Sequence, residues 1–193
     1  MGFFTRNTAH ESRVMHATRW HGFYLTAAAL IFFADQITKA WVVREIPPGT
    51  ARRIIKGFLA FVYAENTGIA FGQLQSGGAA KQWILIALAC VALFGVMLYF
   101  FRTAATHDRI LGACALLAGG ILGNLADRVR LGYVIDFILV YWGDWSYPVF
   151  NIADASICTG AGLLILDAIL SGRKKEPEVR SQNKSVRRFR ASC

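Results

Sequence analysis

GGILGNLADRVRLGYVIDFILVYWGDWSYPVFNIAD, residues 119–154, is the stretch whose reading decides the fold. It begins inside an apolar run, passes Asn124, Asp127 and Arg128, continues through Val134-Ile135-Asp136-Phe137 and closes on Phe150-Asn151-Ile152-Ala153-Asp154. Asp127, Asp136 and Asp154 thus stand at or near the ends of two strongly apolar segments. A carboxylate costs roughly 2.5–3.5 kcal/mol at a bilayer centre and less toward the interface, so three of them here call for a reason.

Composition supports a membrane setting. The 193 residues are 55% hydrophobic and 17% charged, enough for one domain and too apolar for an ordinary soluble one. The net charge of +9 is gathered at the ends and between apolar runs. That distribution fits membrane topology and argues against a nucleic-acid partner. Four cysteines form no C-x-x-C, and four histidines form no H-E-x-x-H. Neither a disulfide framework, nor a metal site, nor a cofactor is expected. Gly2 is followed by Arg6 where myristoylation needs Ser or Thr.

Four runs are long enough to span a bilayer, which takes about 20 apolar residues. They are 22–43, 82–101, one starting near Ile110, and 152–170. The first is read as a retained helix rather than a signal peptide, because it carries Asp35 and Lys39 without a convincing cleavage site ahead of them. These two charges lie four apart and share a helical face, either as a self-neutralising pair or as a brace behind a polar site. Small residues at Ala115, Gly119 and Gly123 recur every fourth position, and helix packing alone accounts for them.

Between the first two spans, Pro47-Pro48-Gly49 breaks the chain and residues 54–63 read as extended. Asn66 and Gly68 suit a tight turn, Ala70 and Phe71 an apolar lip, and Ser76-Gly77-Gly78 a flexible joint. Residues 131–149 return along the surface, where Tyr141, Trp142, Trp145 and Tyr147 read as an interfacial belt. The expected architecture is a membrane all-α fold, a four-transmembrane-helix bundle. Residues 1–21 form a basic cytoplasmic tail, 22–171 the membrane domain, and 172–193 a basic cytoplasmic tail without regular structure. Thirteen Lys and Arg fall on the side of the two termini and seven on the other, which places both termini in the cytoplasm.

Chemically, two carboxyls sharing one proton can activate a water and protonate a leaving amine without a metal. Asp136 sits among Val134, Ile135, Phe137 and Ile138, which favours its protonated form. Asp154 sits in the first turn of the fourth helix, where the dipole favours the anion. The bland readings are equally open: Asn151 and Asp154 as a capping pair, Asp127 and Arg128 as a salt bridge at a helix end. A small proton-coupled transporter would also use intramembrane acids.

The residues resemble one family. Asp35-Gln36-Ile37-Thr38-Lys39, Asn66-Thr67-Gly68-Ile69-Ala70-Phe71, Gly123-Asn124-Leu125-Ala126-Asp127-Arg128, Val134-Ile135-Asp136-Phe137 and Phe150-Asn151-Ile152-Ala153-Asp154 match, in order and spacing, the five motifs of the lipoprotein signal peptidases (signal peptidase II). The resemblance implies a bacterial inner-membrane aspartic protease with Asp136 and Asp154 as catalytic dyad. Asn66, Gly68, Asn124, Arg128, Asn151, Asp127, Asp35 and Lys39 would support the site or contact substrate. It implies a small extracytoplasmic β-cradle, with cradle and flap at about 44–81 and a mobile segment at 72–81. It further implies prolipoproteins bearing diacylglyceryl on the lipobox cysteine as substrates, cleavage just before that cysteine, and inhibition by globomycin. Membrane lipids are the other expected partner, and the protein is expected to act as a monomer. Ile69 and Gly72 depart from the usual family residues, in the flap.

Overall fold

In the computed structural model the backbone is described for residues 4–68 and 78–191, and side chains for 20–68 and 80–171. The expected lip at Ala70 and Phe71, most of the 72–81 segment, and the departures at Ile69 and Gly72 lie outside the described residues. Four helices and four strands run in the order α1 (Phe4–Glu45), β1 (Ala51–Ile55), β2 (Leu59–Asn66), α2 (Gly78–Arg102), α3 (Asp108–Leu131), β3 (Val134–Trp142), β4 (Trp145–Ser146) and α4 (Ile152–Ala191).

Each helix contains a segment long and apolar enough to cross a membrane: Trp20–Glu45, Ala80–Arg102, Asp108–Leu131 and Ile152–Ser171. Large apolar side chains face outward on them, among them Phe23, Leu30, Phe33, Leu88, Val91, Phe94 and Ile165. This inverted surface suits hydrocarbon, and the chain is a multi-pass membrane protein. α3 is the central helix, with eleven buried residues. Two of its glycines permit close contact. A Cβ on Gly119 would lie 2.6 Å from the Ala28 carbonyl of α1, and one on Gly120 would lie 2.5 Å from the Ala153 carbonyl of α4. α3 ends at Gly132, whose φ of 84° lets its N–H cap the Arg128 carbonyl.

α4 continues past Ser171 to Ala191, so the tail expected to lack regular structure is helical. Likewise α1 begins at Phe4, well ahead of the apolar run.

The strands form an antiparallel sheet in the order β1-β2-β3-β4. It lies where α1 and α3 end and α4 begins, anchored by buried Val42, Ile46 and Phe137 with Phe61, Tyr63, Ile138 and Ile152 against them. Residues 54–63, read from sequence as extended, fall within a hairpin of β1 and β2 that turns at Lys56–Phe58. The β2–β3 register shifts between Phe61 and Ala64, a bulge that places Ala64 opposite Asp136 and brings Asn66 beside it. Past β4, Phe150 exchanges hydrogen bonds with Ile138. That tie holds Asn151 against β3.

Candidate active site

Asp136 and Asp154 come from unlike elements, a strand and the first turn of a helix, and one side chain joins them. The Asn151 amide nitrogen donates to Asp136 Oδ1 at 2.7 Å, while its oxygen accepts the Asp154 backbone N–H at 2.8 Å. The Asn151 N–H in turn donates to Asp154 Oδ2 at 3.2 Å, completing a reciprocal cap. The capping reading and the paired-acid reading are therefore one arrangement. The cap fixes the position of Asp154 next to Asp136.

Two more asparagines complete the pair's surroundings. Asn66 donates to Asp136 Oδ2 at 2.8 Å, and Asn124 donates to Asp154 Oδ1 at 2.7 Å. Asn66 is itself held by the Gly68 N–H, which donates to Asn66 Oδ1 at 2.8 Å. Gly68 has φ 76°, and a Cβ there would lie 2.7 Å from a Leu85 methyl, so the turn requires glycine. Asp136 is 3% exposed. Burial pushes its carboxyl up to about 6; the Asp154 charge adds to the rise, while Asn66, Asn151 and Lys39 oppose it.

Behind the pair lies a second polar cluster. Lys39 Nζ is 2.7 Å from Asp35 and 2.8 Å from Asp127, and all three are at most 2% exposed. Asp127 therefore pairs with Lys39 rather than with neighbouring Arg128. Its remaining capacity is met by the Gln36 amide at 3.0 Å and the Ile135 N–H at 3.2 Å, which ties α3 to β3 next to Asp136. Lys39 also donates to Asn124 Oδ1 at 3.0 Å, and that oxygen accepts from Asn151 at 3.1 Å. The Lys39 charge thus orients the amide that faces Asp154. Asp35 and Lys39 are at once a self-neutralising pair and a brace.

Asp35 reaches further, accepting the Ala153 N–H at 2.9 Å. A carboxylate at that position meets the positive end of α4. Gly123 makes this possible, because a Cβ on it would lie 2.6 Å from Asp35 Oδ2 and 3.2 Å from Ala153 Cβ. The small-residue stripe, read from sequence as packing alone, therefore also shapes the polar cluster. Arg128 is partly buried within the field of Asp154, Asp136 and Asp127, and its guanidinium lies 3.5 Å from the Asn124 carbonyl.

All ten residues singled out from sequence thus fall in or against one polar region. The reading missed Gln36, Gly123 and the Ala153 N–H. Gln36 stands between Asp35 and the Lys39 turn, but nothing in its spacing reveals that it reaches α3. Among the described residues no cluster of His, Cys, Asp and Glu could hold a metal ion.

With this geometry, the comparisons with known proteins are specific. The family described as signal peptidase (SPase) II matches residues 27–170, which span all five motifs. The chain belongs to the signal peptidase II family. It is thus a membrane protease of that family, and the transporter reading is set aside. The lipoprotein signal peptidase of Actinobacillus succinogenes is 40% identical over 156 residues, covering 80% of this chain and 94% of that one. That of Symbiobacterium thermophilum is 37% identical over 150 residues, covering 78% and 96%. A bacterial membrane enzyme solved by the in meso method at 2.3 Å superposes with a TM-score of 0.71 at 29% identity, covering 80% of this chain and 92% of that one. A second, at 1.9 Å, gives 0.68 at 29% identity, covering 76% and 92%.

Proposed function

We propose that this peptidase removes the signal peptide from diacylglyceryl-modified prolipoproteins just before the lipidated cysteine, using Asp136 and Asp154 as an aspartic dyad. The observation that carries the reading is the Asn151 bridge, one amide holding both carboxyls in a fixed relation. Asp154, at the helix N-terminus, is the base. Asp136, pushed up to about 6 by burial, is the acid.

In this mechanism Asp154 takes a proton from water as the water oxygen attacks the scissile carbonyl carbon. Asp136 gives its proton to the carbonyl oxygen, yielding a neutral diol. The C–N bond then breaks as Asp154 passes its proton to the cysteine nitrogen. A diol hydroxyl returns a proton to Asp136 while the new carboxyl forms. Arg128 orients substrate carbonyls, for which a planar guanidinium is well suited.

The sheet serves as a cradle beside the dyad, with cradle and flap at about 44–81 and 22–171 the membrane domain between basic segments at 1–21 and 172–193. Both termini face the cytoplasm of a bacterial inner membrane, so sheet and dyad face outward and meet the lipidated cysteine at the interface. The chain acts as a monomer, with surrounding membrane lipid its other partner. A gel-shift assay on lipidated prolipoprotein, with and without globomycin, tests the proposal. Cleavage abolished by globomycin is expected; an uncleaved substrate refutes it.

A further inference from the structure

We propose that a pocket between the last turns of α1 and α3, whose lining does not include the dyad, holds the phosphodiester of a membrane glycerophospholipid. The cavity is about 280 Å3. Gln36, Lys39 and Asp127 line its floor, Tyr63 and Tyr133 wall it, and Arg44 and Arg130 line it as well.

The charge balance favours a single anion. Lys39 is consumed by Asp35 and Asp127, and the three together carry one negative charge. Asp127, the only carboxylate in the lining, is fully engaged by Lys39, Gln36 and the Ile135 N–H. The tyrosines engage each other and Glu65: Tyr63 donates to Glu65 at 2.7 Å and lies 3.3 Å from the Tyr133 hydroxyl. That leaves two guanidiniums, which bring the cluster to one net positive charge. Arg130 donates one hydrogen bond, to Gln36 Oε1 at 3.0 Å. Arg44 has no ion-pair or hydrogen-bond partner among the described residues. Guanidiniums match the oxygens of a phosphodiester in shape and charge.

Position selects a lipid over a free anion. Both helices end here, at the depth where headgroups lie. Ala40, Val43 and Leu131 line the same pocket. Ile37, Val43 and Val129 are 66%, 50% and 65% exposed on the adjoining helix surfaces, giving acyl chains an apolar path away from the phosphate. The prolipoprotein's diacylglyceryl group carries no phosphate, so this lipid is distinct from the substrate. Its bound phosphate would clasp α1 to α3 directly over the Lys39–Asp127 pair.

Native mass spectrometry of the full chain released from detergent tests this, with phosphatidylglycerol, phosphatidylethanolamine, dioleoylglycerol or inorganic phosphate added. Both phospholipids are expected to give one-to-one adducts. The R44Q/R130Q variant should retain them about tenfold more weakly, as loss of charge-assisted hydrogen bonds implies. R44K/R130K, which keeps the charge without the fork, should fall between. R52Q/R53Q, which removes two arginines from β1, should retain lipid like the unaltered chain. Circular dichroism and elution volume establish that each variant is folded. Equal retention by folded R44Q/R130Q overturns the proposal, as does equal loss in R52Q/R53Q. Retention of dioleoylglycerol as strong as that of the phospholipids, or displacement of lipid by equimolar inorganic phosphate, overturns it too.

Discussion

Asp35 of the first helix accepts the backbone N–H of Ala153 at the start of the fourth, across 118 residues of chain, at 2.9 Å. The residue that caps the α4 backbone is therefore the one that Lys39 neutralises, and the helix it caps begins two residues before Asp154. Position and charge at the candidate dyad depend on a contact made by a different helix.

Gly123→Ala tests that dependence. The added methyl would meet Asp35 Oδ2 at 2.6 Å, and Ala153 on the other side leaves little room to yield. A stability loss of about 1–3 kcal/mol is expected, with reduced peptidase activity. Gly162→Ala, with nothing within 4 Å of the new carbon, should change little. Thermal unfolding in detergent, alongside prolipoprotein cleavage, reads both.

Lys39→Met leaves Asp35 and Asp127 buried without their shared cation. Removing one partner from such a cluster costs about 3–5 kcal/mol, so the variant should accumulate poorly and unfold early. Asp127→Asn is milder, since its side-chain oxygen can still accept from Lys39 or Ile135. It should keep part of its activity and lose about 1–3 kcal/mol. Complete loss of cleavage by a folded Asp127→Asn protein would assign Asp127 to the chemistry instead.

Asp136→Asn and Asp154→Asn preserve side-chain volume and remove the proton transfers. Each should lower the cleavage rate by about 10²–10⁴-fold or more while the protein stays folded in the membrane. Substantial cleavage by either variant, measured by gel shift, would displace the dyad.

The pH dependence follows from Asp136. Its carboxyl is raised above the ordinary carboxylate range to about 6, first by burial. The protonated form is therefore lost as pH rises through about 6, and, with Asp136 as the proposed acid, kcat/KM for cleavage should fall along that limb. Asn66 donates to the ionised carboxyl and so lowers its pKa. Asn66→Ala should move the limb to higher pH. A limb that stays in place would mean that another group titrates there.

Much of this was legible in the sequence because membrane burial makes polar residues conspicuous. The acids at 35, 127, 136 and 154 stood out against apolar neighbours, the family motifs marked the asparagines at 66, 124 and 151, and all converge in the structure. What sequence did not show was how they are joined. Gln36 and Gly123 are ordinary residues by type, and their roles arise only when α1, α3 and α4 meet. The hairpin at 51–66 hid because its turn at Lys56-Gly57-Phe58 interrupts a stretch whose β-branched and aromatic residues read as continuous. Asp127 was assigned a neighbour in sequence as its alternative partner, whereas its cation comes from 88 positions upstream.

The two acids belong to a strand that follows the third helix and to the start of the fourth. With these two as the proposed dyad, the nascent polypeptide carries no complete hydrolytic centre until its last hydrophobic segment emerges from the ribosome and is threaded into the bilayer. On that proposal, assembly order itself keeps an unfinished protease from cutting, and a chain stopped before residue 152 should be inert whatever else it has folded.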